Sequence, residues 1–278
     1  LANLNHYLFN FSAAPVVALH GWASYSHQWK SLIGYLEDRF KVIALDLPGY
    51  GPGLVASNRP GLAGDADPII QEIERLGDPV HLVGHSYGGA VAMKIALLRP
   101  DLLLSLTVYE PVMFSLLSGS GPRYTNMFGE VVAVASNLQN AIITGEPKTG
   151  MQGFFDFWNG IGSWNSLPDS KKERLAAVAC EVNKNFGRAF EERTGFADLA
   201  TIEVSTMMMV GMESPVATQQ LGGMIARAIP NTKLAMLPCL GHMAPIDASE
   251  WVNPRILHHI SEVEQCRVTG VNAIRWVA

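Results

Sequence analysis

The stretch Val80-His81-Leu82-Val83-Gly84-His85-Ser86-Tyr87-Gly88-Gly89-Ala90-Val91-Ala92 constrains this chain more than any other. A short apolar run with β-branched residues meets Gly-x-Ser-x-Gly, and a small-residue helical pattern follows at once. This predicts a buried strand, a sharp turn and a helix, with Ser86 on the turn. Only small neighbours such as Gly84 and Gly88 leave room for so tight a bend, and the serine hydroxyl then stands clear of the sheet edge. A helix that begins at the serine offers free N–H groups and a positive dipole end to any anion formed there. The pentapeptide alone carries little weight, since with glycine near 7% of residues it arises by chance in roughly one chain of this length in ten. The flanking strand and helix carry the reading.

Apolar runs at residues 15–19, 41–45, 80–83, 104–109, 204–210 and 233–237 read as six strands, with a further possible strand at 7–11. Between them lie helical stripes such as Trp29, Leu32, Ile33 and Leu36, or Ile69, Ile70, Ile73 and Leu76. The helix that follows Ser86 stops before Pro100, and further helices are expected near 216–229 and 248–260. This alternation predicts right-handed βαβ units and a parallel sheet covered on both faces. From Pro111 to about Thr201 it ceases. Phe128, Val131, Val132, Ala135, Leu138 and Ile142 keep helical spacing there, as do Phe154, Phe157 and Trp158. Leu175, Val178, Ala179 and Val182 mark a third helix. So long a stretch is too much for a loop inside a compact domain, and it reads as a helical cap over the sheet edge. The expected division is a core of residues 1–110 and 202–278 with a cap at 111–201.

The length of 278 residues suits one α/β domain with such an insertion. With 48% hydrophobic and only 16% charged residues, a disordered chain is excluded. A net charge of −5 without a dense Lys/Arg cluster argues against nucleic acid and anionic membrane, and leaves a small molecule as the expected partner. Cys180, Cys239 and Cys266 lack metal-ligand spacing and read as buried or half-buried free thiols of a reducing compartment. No stretch approaches transmembrane length and no basic-then-apolar segment opens the sequence, so the expected compartment is the cytoplasm. Nothing in the sequence calls for a cofactor or a metal.

His20-Gly21-Trp22, Gly84-His85-Ser86-Tyr87-Gly88 and Gly241-His242, in that order and on those elements, resemble the α/β-hydrolase family. The resemblance spans nearly the whole chain. It implies a mostly parallel eight-stranded sheet flanked by helices, with the cap inserted after the family's sixth strand. It also implies Ser86 as nucleophile, His242 as the base that removes its proton, and the backbone N–H groups of Trp22 and Tyr87 as an oxyanion hole. His20 and His85 are expected to brace loops, and Asp46 to bind nearby backbone N–H groups.

The acid departs from the pattern. Where the family most often has aspartate, three residues after the glycine that ends its seventh strand, this chain has Ser214, a neutral residue. Glu110, at the end of the preceding strand, matches an acid site used by some members. Glu213 is the alternative, though its side chain points away if that of Ser214 points inward.

Aromatic residues crowd the cap, and pockets at a sheet's C-terminal edge are lined with apolar side chains. Tyr25, Phe114, Phe154, Trp158 and Met243 are candidate substrate contacts, with Tyr87 and Asn159 as further polar ones. The reaction expected is hydrolysis of a carboxylic ester with a small to medium apolar acyl or alkyl group, losing rate at acid pH as His242 protonates. A carbon–carbon bond hydrolase, lactonase, perhydrolase or acyltransferase would use the same groups. A non-catalytic small-molecule binding protein is the reading from another class. The serine excludes relatives that attack with aspartate, such as epoxide hydrolases.

Overall fold

In the computed structural model, which describes residues 13–269, six strands form one parallel sheet. They are β1 (Val16–Leu19), β2 (Val42–Leu45), β3 (Val80–His85), β4 (Leu103–Tyr109), β5 (Ser205–Gly211) and β6 (Thr232–Leu237). Their spatial order is β2-β1-β3-β4-β5-β6, and every pairing is parallel. The eight strands that the resemblance implies are therefore not met among the described residues, and the possible strand at 7–11 lies outside them. The six present are those marked by apolar runs; β1, β3, β4 and β5 are buried nearly throughout, as strands covered on both faces are, whereas the edge strands β2 and β6 are half-buried and largely exposed.

Helices α1 (Lys30–Leu36), α2 (Ala63–Leu76) and α3 (Ser86–Leu98) fall between the first four strands. Five more lie between β4 and β5: α4 (Pro122–Ile143), α5 (Pro147–Asn159), α6 (Asp169–Ala177), α7 (Ala179–Glu191) and α8 (Phe196–Leu199). After β5 come α9 (Val216–Ala228), α10 (Ala244–Asp247) and α11 (Ser249–Thr269).

Side chains alternate across the strands, so the sheet has two cores. Val17, Leu19, Leu82, Leu106, Val108, Met208 and Val210 face one side, against Ile69 and Ile73 of α2, Ile95 of α3, and Leu221 and Ile225 of α9. Val16, Ala18, Val83, Met207 and Met209 face the other, against Leu32 and Leu36 of α1 and Val252, Ile256 and Ile260 of α11. Each such Val, Leu, Ile or Met side chain, when fully buried, stabilises the fold by about 1.5–3 kcal/mol.

The helical insertion has no separate core. Val131, Ala135 and Leu138 of α4, Phe154 and Trp158 of α5, and Val182, Phe186 and Ala189 of α7 are continuous with the first sheet face. One expectation fails here. The stripe from Leu175 to Val182 is not a single helix, because the backbone leaves helical geometry at Val178 (φ −101°, ψ 6°). Leu175 is the one buried residue of polar α6, which therefore has no apolar face to continue that of α7. The cysteines also differ from expectation. All are free, but Cys180 and Cys239 are exposed, on the solvent side of α7 and on the turn after β6, and only Cys266 is half-buried.

The topology positions a site. β1 has β2 on one side and β3 on the other, so the chain leaving β1 and the chain leaving β3 diverge at the sheet's C-terminal edge and open a crevice. Among the described residues, four non-glycine residues have positive φ: Ala23, Ser86, Glu110 and Cys239. Each follows the end of a strand at that edge, and each costs about 1–3 kcal/mol that the surrounding structure must offset.

His259 of α11 is buried between two strands, its Nδ1 2.9 Å from Thr107 Oγ1 and its Nε2 3.1 Å from Ser205 Oγ. Burial above all lowers its pKa to about 4. The fold thus favours the neutral ring. Its contribution is complete above the unfolded value of about 6.5, and is lost as pH falls from there toward about 4, at roughly 1.4 kcal/mol per pH unit. The difference in urea-unfolding free energy between pH 7 and pH 5 should be about 2 kcal/mol larger in the wild type than in His259→Gln. Equal pH slopes in the two proteins would remove the assignment.

Candidate active site

The sharp turn after β3 places Ser86 at φ 55° as the first residue of α3. Glycine is required on both sides of it. A Cβ on Gly84 would lie 2.6 Å from the Gly88 carbonyl oxygen and 2.7 Å from the Gly89 Cα, and one on Gly88 would collide with the carbonyls of Leu19 and His20.

His242 reaches Ser86 from the loop after β6, across 156 positions of sequence, with Nε2 2.9 Å from Ser86 Oγ. Its Nδ1 lies 2.6 Å from Glu110 Oε2, at the end of β4. A carboxylate only accepts, so Nδ1 carries the proton and the Nε2 lone pair faces the serine hydroxyl. Glu110 Oε1 accepts two more hydrogen bonds, from the Gly211 N–H and the Ser214 hydroxyl, each at 2.6 Å. All three side chains are almost wholly shielded from solvent. Glu213, by contrast, is exposed, and its carboxylate is not among the hydrogen-bond partners of this group. Ser214 therefore stands where the resemblance implies an aspartate, and orients Glu110 by donating to it. The sequence shows a serine three residues after Gly211 but neither the direction of its side chain nor its hydrogen bond to Glu110.

The loop that carries His242 is pinned from two sides. The Tyr109 hydroxyl donates to the Gly241 carbonyl at 2.7 Å. His85 Nε2 lies 2.9 Å from the His242 carbonyl, and Gln28 Nε2 lies 3.0 Å from His85 Nδ1. The Gly21 N–H donates to Gln28 Oε1, which identifies the other Gln28 atom as the amide donor. His85 Nδ1 therefore accepts and Nε2–H donates. Burial, with His242 nearby, holds the His85 pKa well below its ordinary value, so the ring stays neutral in this role. His20 is likewise engaged at both nitrogens, 2.7 Å from the Gly21 carbonyl and 3.0 Å from the Leu47 N–H, and burial lowers its pKa to about 4. Asp46 accepts the Ser26 N–H at 2.5 Å.

Trp22 follows β1, and its N–H donates to no group among the described residues. Tyr87 is the second residue of α3, where a backbone N–H has no acceptor within the helix. Their rings stack at 5.4 Å with 22° between planes. The Tyr87 hydroxyl donates to buried Asp65 at 2.5 Å, and Asp65 pairs with Arg188 of α7. Burial first, opposed by Tyr87 and Arg188, raises the Asp65 pKa. This buried system ties α2, α3 and the insertion to the turn that carries Ser86.

A cleft of about 300 Å³ opens above Ser86 and His242. Trp22, Tyr25, Phe154, Trp158, Asn159 and Met243 line it. Phe114 does not; it is fully buried, its ring 6.1 Å from that of Trp158. Trp158, from the insertion, stacks on the His242 ring with centroids 4.0 Å apart and 24° between planes. Sequence reading did not anticipate Lys171, Arg174 and Leu175 of α6, or Ile246 and Asp247 of α10, on the same wall. Among the described residues no cluster of three or more His, Cys, Asp or Glu side chains is placed to hold a metal ion, and no helix is long and apolar enough to cross a membrane.

Residues 16–255 match the model of the Alpha/beta hydrolase family. The (E)-2-((N-methylformamido)methylene)succinate hydrolase of Acinetobacter baylyi is 25% identical to this chain, over 89% of it and 90% of that protein. The dihydrolipoyllysine-residue acetyltransferase component of the acetoin cleaving system of Pseudomonas putida is 26% identical over 87% of this chain. That match takes in 62% of the relative, so this chain spans less than two thirds of its length. A solved thermophilic esterase from Thermogutta terrifontis has the same fold, with a TM-score of 0.69, 21% identity and 91% of each chain covered.

Proposed function

Because the chain belongs to the alpha/beta hydrolase family, we propose that it is a serine hydrolase that cleaves a carboxylic ester through an acyl-enzyme. The observation that carries this reading is the unbroken hydrogen-bonded line from Ser86 Oγ through both nitrogens of His242 to Glu110, beneath an aromatic-walled cleft. Ser86 attacks the ester carbonyl while His242 Nε2 takes its proton. The tetrahedral oxyanion is held by the backbone N–H groups of Trp22 and Tyr87, each worth roughly 3–4 kcal/mol when lost. His242 then protonates the departing alcohol, and water, deprotonated by the same nitrogen, releases the acid.

Glu110 holds the imidazole in the tautomer that leaves Nε2 free, and stabilises the imidazolium that forms. The Trp158 face stacked on His242 adds to that stabilisation, since an indole presents negative charge to a cation above its plane. Residues 111–201 act as a cap in this reading, with residues 1–110 and 202–278 as the core that holds the reacting groups. Trp22, Phe154, Trp158 and Met243 receive a small to medium apolar acyl or alkyl group, and Tyr25 offers a hydroxyl.

Covalent labelling tests the proposal. A fluorophosphonate probe should modify the wild type at Ser86 and leave Ser86→Ala unmodified. A panel of simple nitrophenyl esters beside lactones and vinylogous diketones should show the esters turned over fastest. No labelling of either protein, with no turnover on any panel member, would overturn the reading.

A further inference from the structure

Helix α6 is the least apolar element of the insertion, with Leu175 as its one buried residue, yet it forms part of the cleft wall above Ser86. It does so with Lys171, Arg174 and Leu175, at i, i+3 and i+4, which form one stripe on a helix surface. The same helix spends its other charges on itself and its neighbours: Lys172 pairs with Asp169 at 3.5 Å, and Glu173 pairs with Lys148 of α5. Lys171 and Arg174 have no carboxylate partner among the described residues. Lys171 Nζ lies 5.9 Å from the centroid of Phe155, itself on the cleft wall. Asp247 on α10, whose carboxyl feels the Lys171 charge without pairing with it, is the one carboxylate on the wall, so two cations share it with one anion. On a chain of net charge −5, this rim is locally positive against the overall balance.

From this juxtaposition we infer that the cleft takes an ester whose far end bears a carboxylate, held at the rim by Lys171 and Arg174 while the ester carbonyl sits at Ser86. This rests on the hydrolase reading above and adds the substrate class. The apolar wall of Trp22, Phe154 and Trp158 covers the chain between the two polar ends. Arg174 presents the planar fork that pairs with a carboxylate, and Lys171 a compact second charge. A cleft with walls of low dielectric and a net positive charge at its mouth also concentrates anions there.

Matched substrates test it. Nitrophenyl hemi-esters of four- to six-carbon dicarboxylic acids are compared with neutral nitrophenyl esters of the same chain length, and a second arm places the carboxylate on the alcohol side. In at least one arm the wild type should favour the charged ester in kcat/KM by about tenfold, an effect at the lower end for charged hydrogen bonds because the rim is solvated. That ratio should fall about tenfold in Lys171→Met/Arg174→Met, and should shrink in the wild type as salt is raised from 0.05 to about 0.5 M. Lys172→Met, on the same helix but off the cleft wall, should keep the ratio. Neutral esters cleaved with no preference for charge in either arm, or a ratio unmoved in the double variant, would overturn the inference and leave the hydrolase reading intact. If no ester is cleaved at all, the hydrolase reading fails, and titration calorimetry with glutarate then decides the rim by itself. Binding weakened about tenfold by the double substitution supports it, and equal or absent binding in both proteins overturns it.

Discussion

Replacing Ser86 by alanine is expected to lower kcat/KM for the best ester by roughly four to six orders of magnitude, or about 5–8 kcal/mol of barrier. The hydroxyl oxygen is the only heavy atom removed, and in the proposed mechanism it is the atom that forms the acyl bond. Alanine keeps a Cβ at the same positive φ, so the strain at the turn is unchanged and the fold should persist. The measurement is steady-state hydrolysis beside near-ultraviolet circular dichroism. A variant that keeps more than a hundredth of wild-type turnover, with its native spectrum, would sink the assignment of Ser86 as nucleophile.

Glu110→Gln is expected to cost roughly three to four orders of magnitude in kcat, similar to the loss when a triad carboxylate becomes an amide. The reason lies in the donors around it. Oε1 already accepts the Gly211 N–H and the Ser214 hydroxyl, and the Gly211 N–H cannot become an acceptor. The amide oxygen of a glutamine must therefore take that side, which turns its NH2 toward His242 Nδ1. The imidazole then has to accept at Nδ1 and carry its proton on Nε2, where no base is left for Ser86. Glu213→Gln, an exposed site outside this network, should stay within about twofold of wild type, as expected of a surface substitution. Parallel kinetics of the two variants decide the matter. A larger loss in Glu213→Gln than in Glu110→Gln would reverse the assignment. Ser214→Ala should fall between them, since it removes one of three donors to Glu110 and leaves the His242 contact in place.

Much of this arrangement could be read locally, and some could not. The turn at Ser86 was legible because Gly84 and Gly88 are the only residue type their surroundings admit. Six strands were legible because each is a short apolar run, although only β1, β3, β4 and β5 are buried along nearly their whole length and β6, at the sheet edge, leaves Leu234 and Met236 exposed. The break at Val178 was not, since the apolar positions 175 and 182 suit one continuous helix as well as two. The positions of Cys180 and Cys239 were misjudged because a thiol's usual burial says nothing about which side of a helix or turn it occupies. Phe114 reads as a cleft residue by its place among the aromatic residues of the expected cap, whereas packing sets it away from the cavity wall. The place of Lys171 and Arg174 on the cleft wall was not legible, because nothing in a Lys/Arg-rich helix records which of its sides meets a crevice.

Residues within a few positions of one another set most of the elements: where the chain extends, where it coils apart from the break at Val178, and where glycine and serine force a turn. Tertiary structure alone decided which carboxylate meets His242. Glu110 and His242 are 132 positions apart, and they touch because β4 lies beside β5 and the loop after β6 folds back over its end. It also decided that Trp158 of the insertion lies against the same imidazole. Strand order and the docking of one helix on another come from the summed burial of many side chains, and no short run of residues encodes that sum.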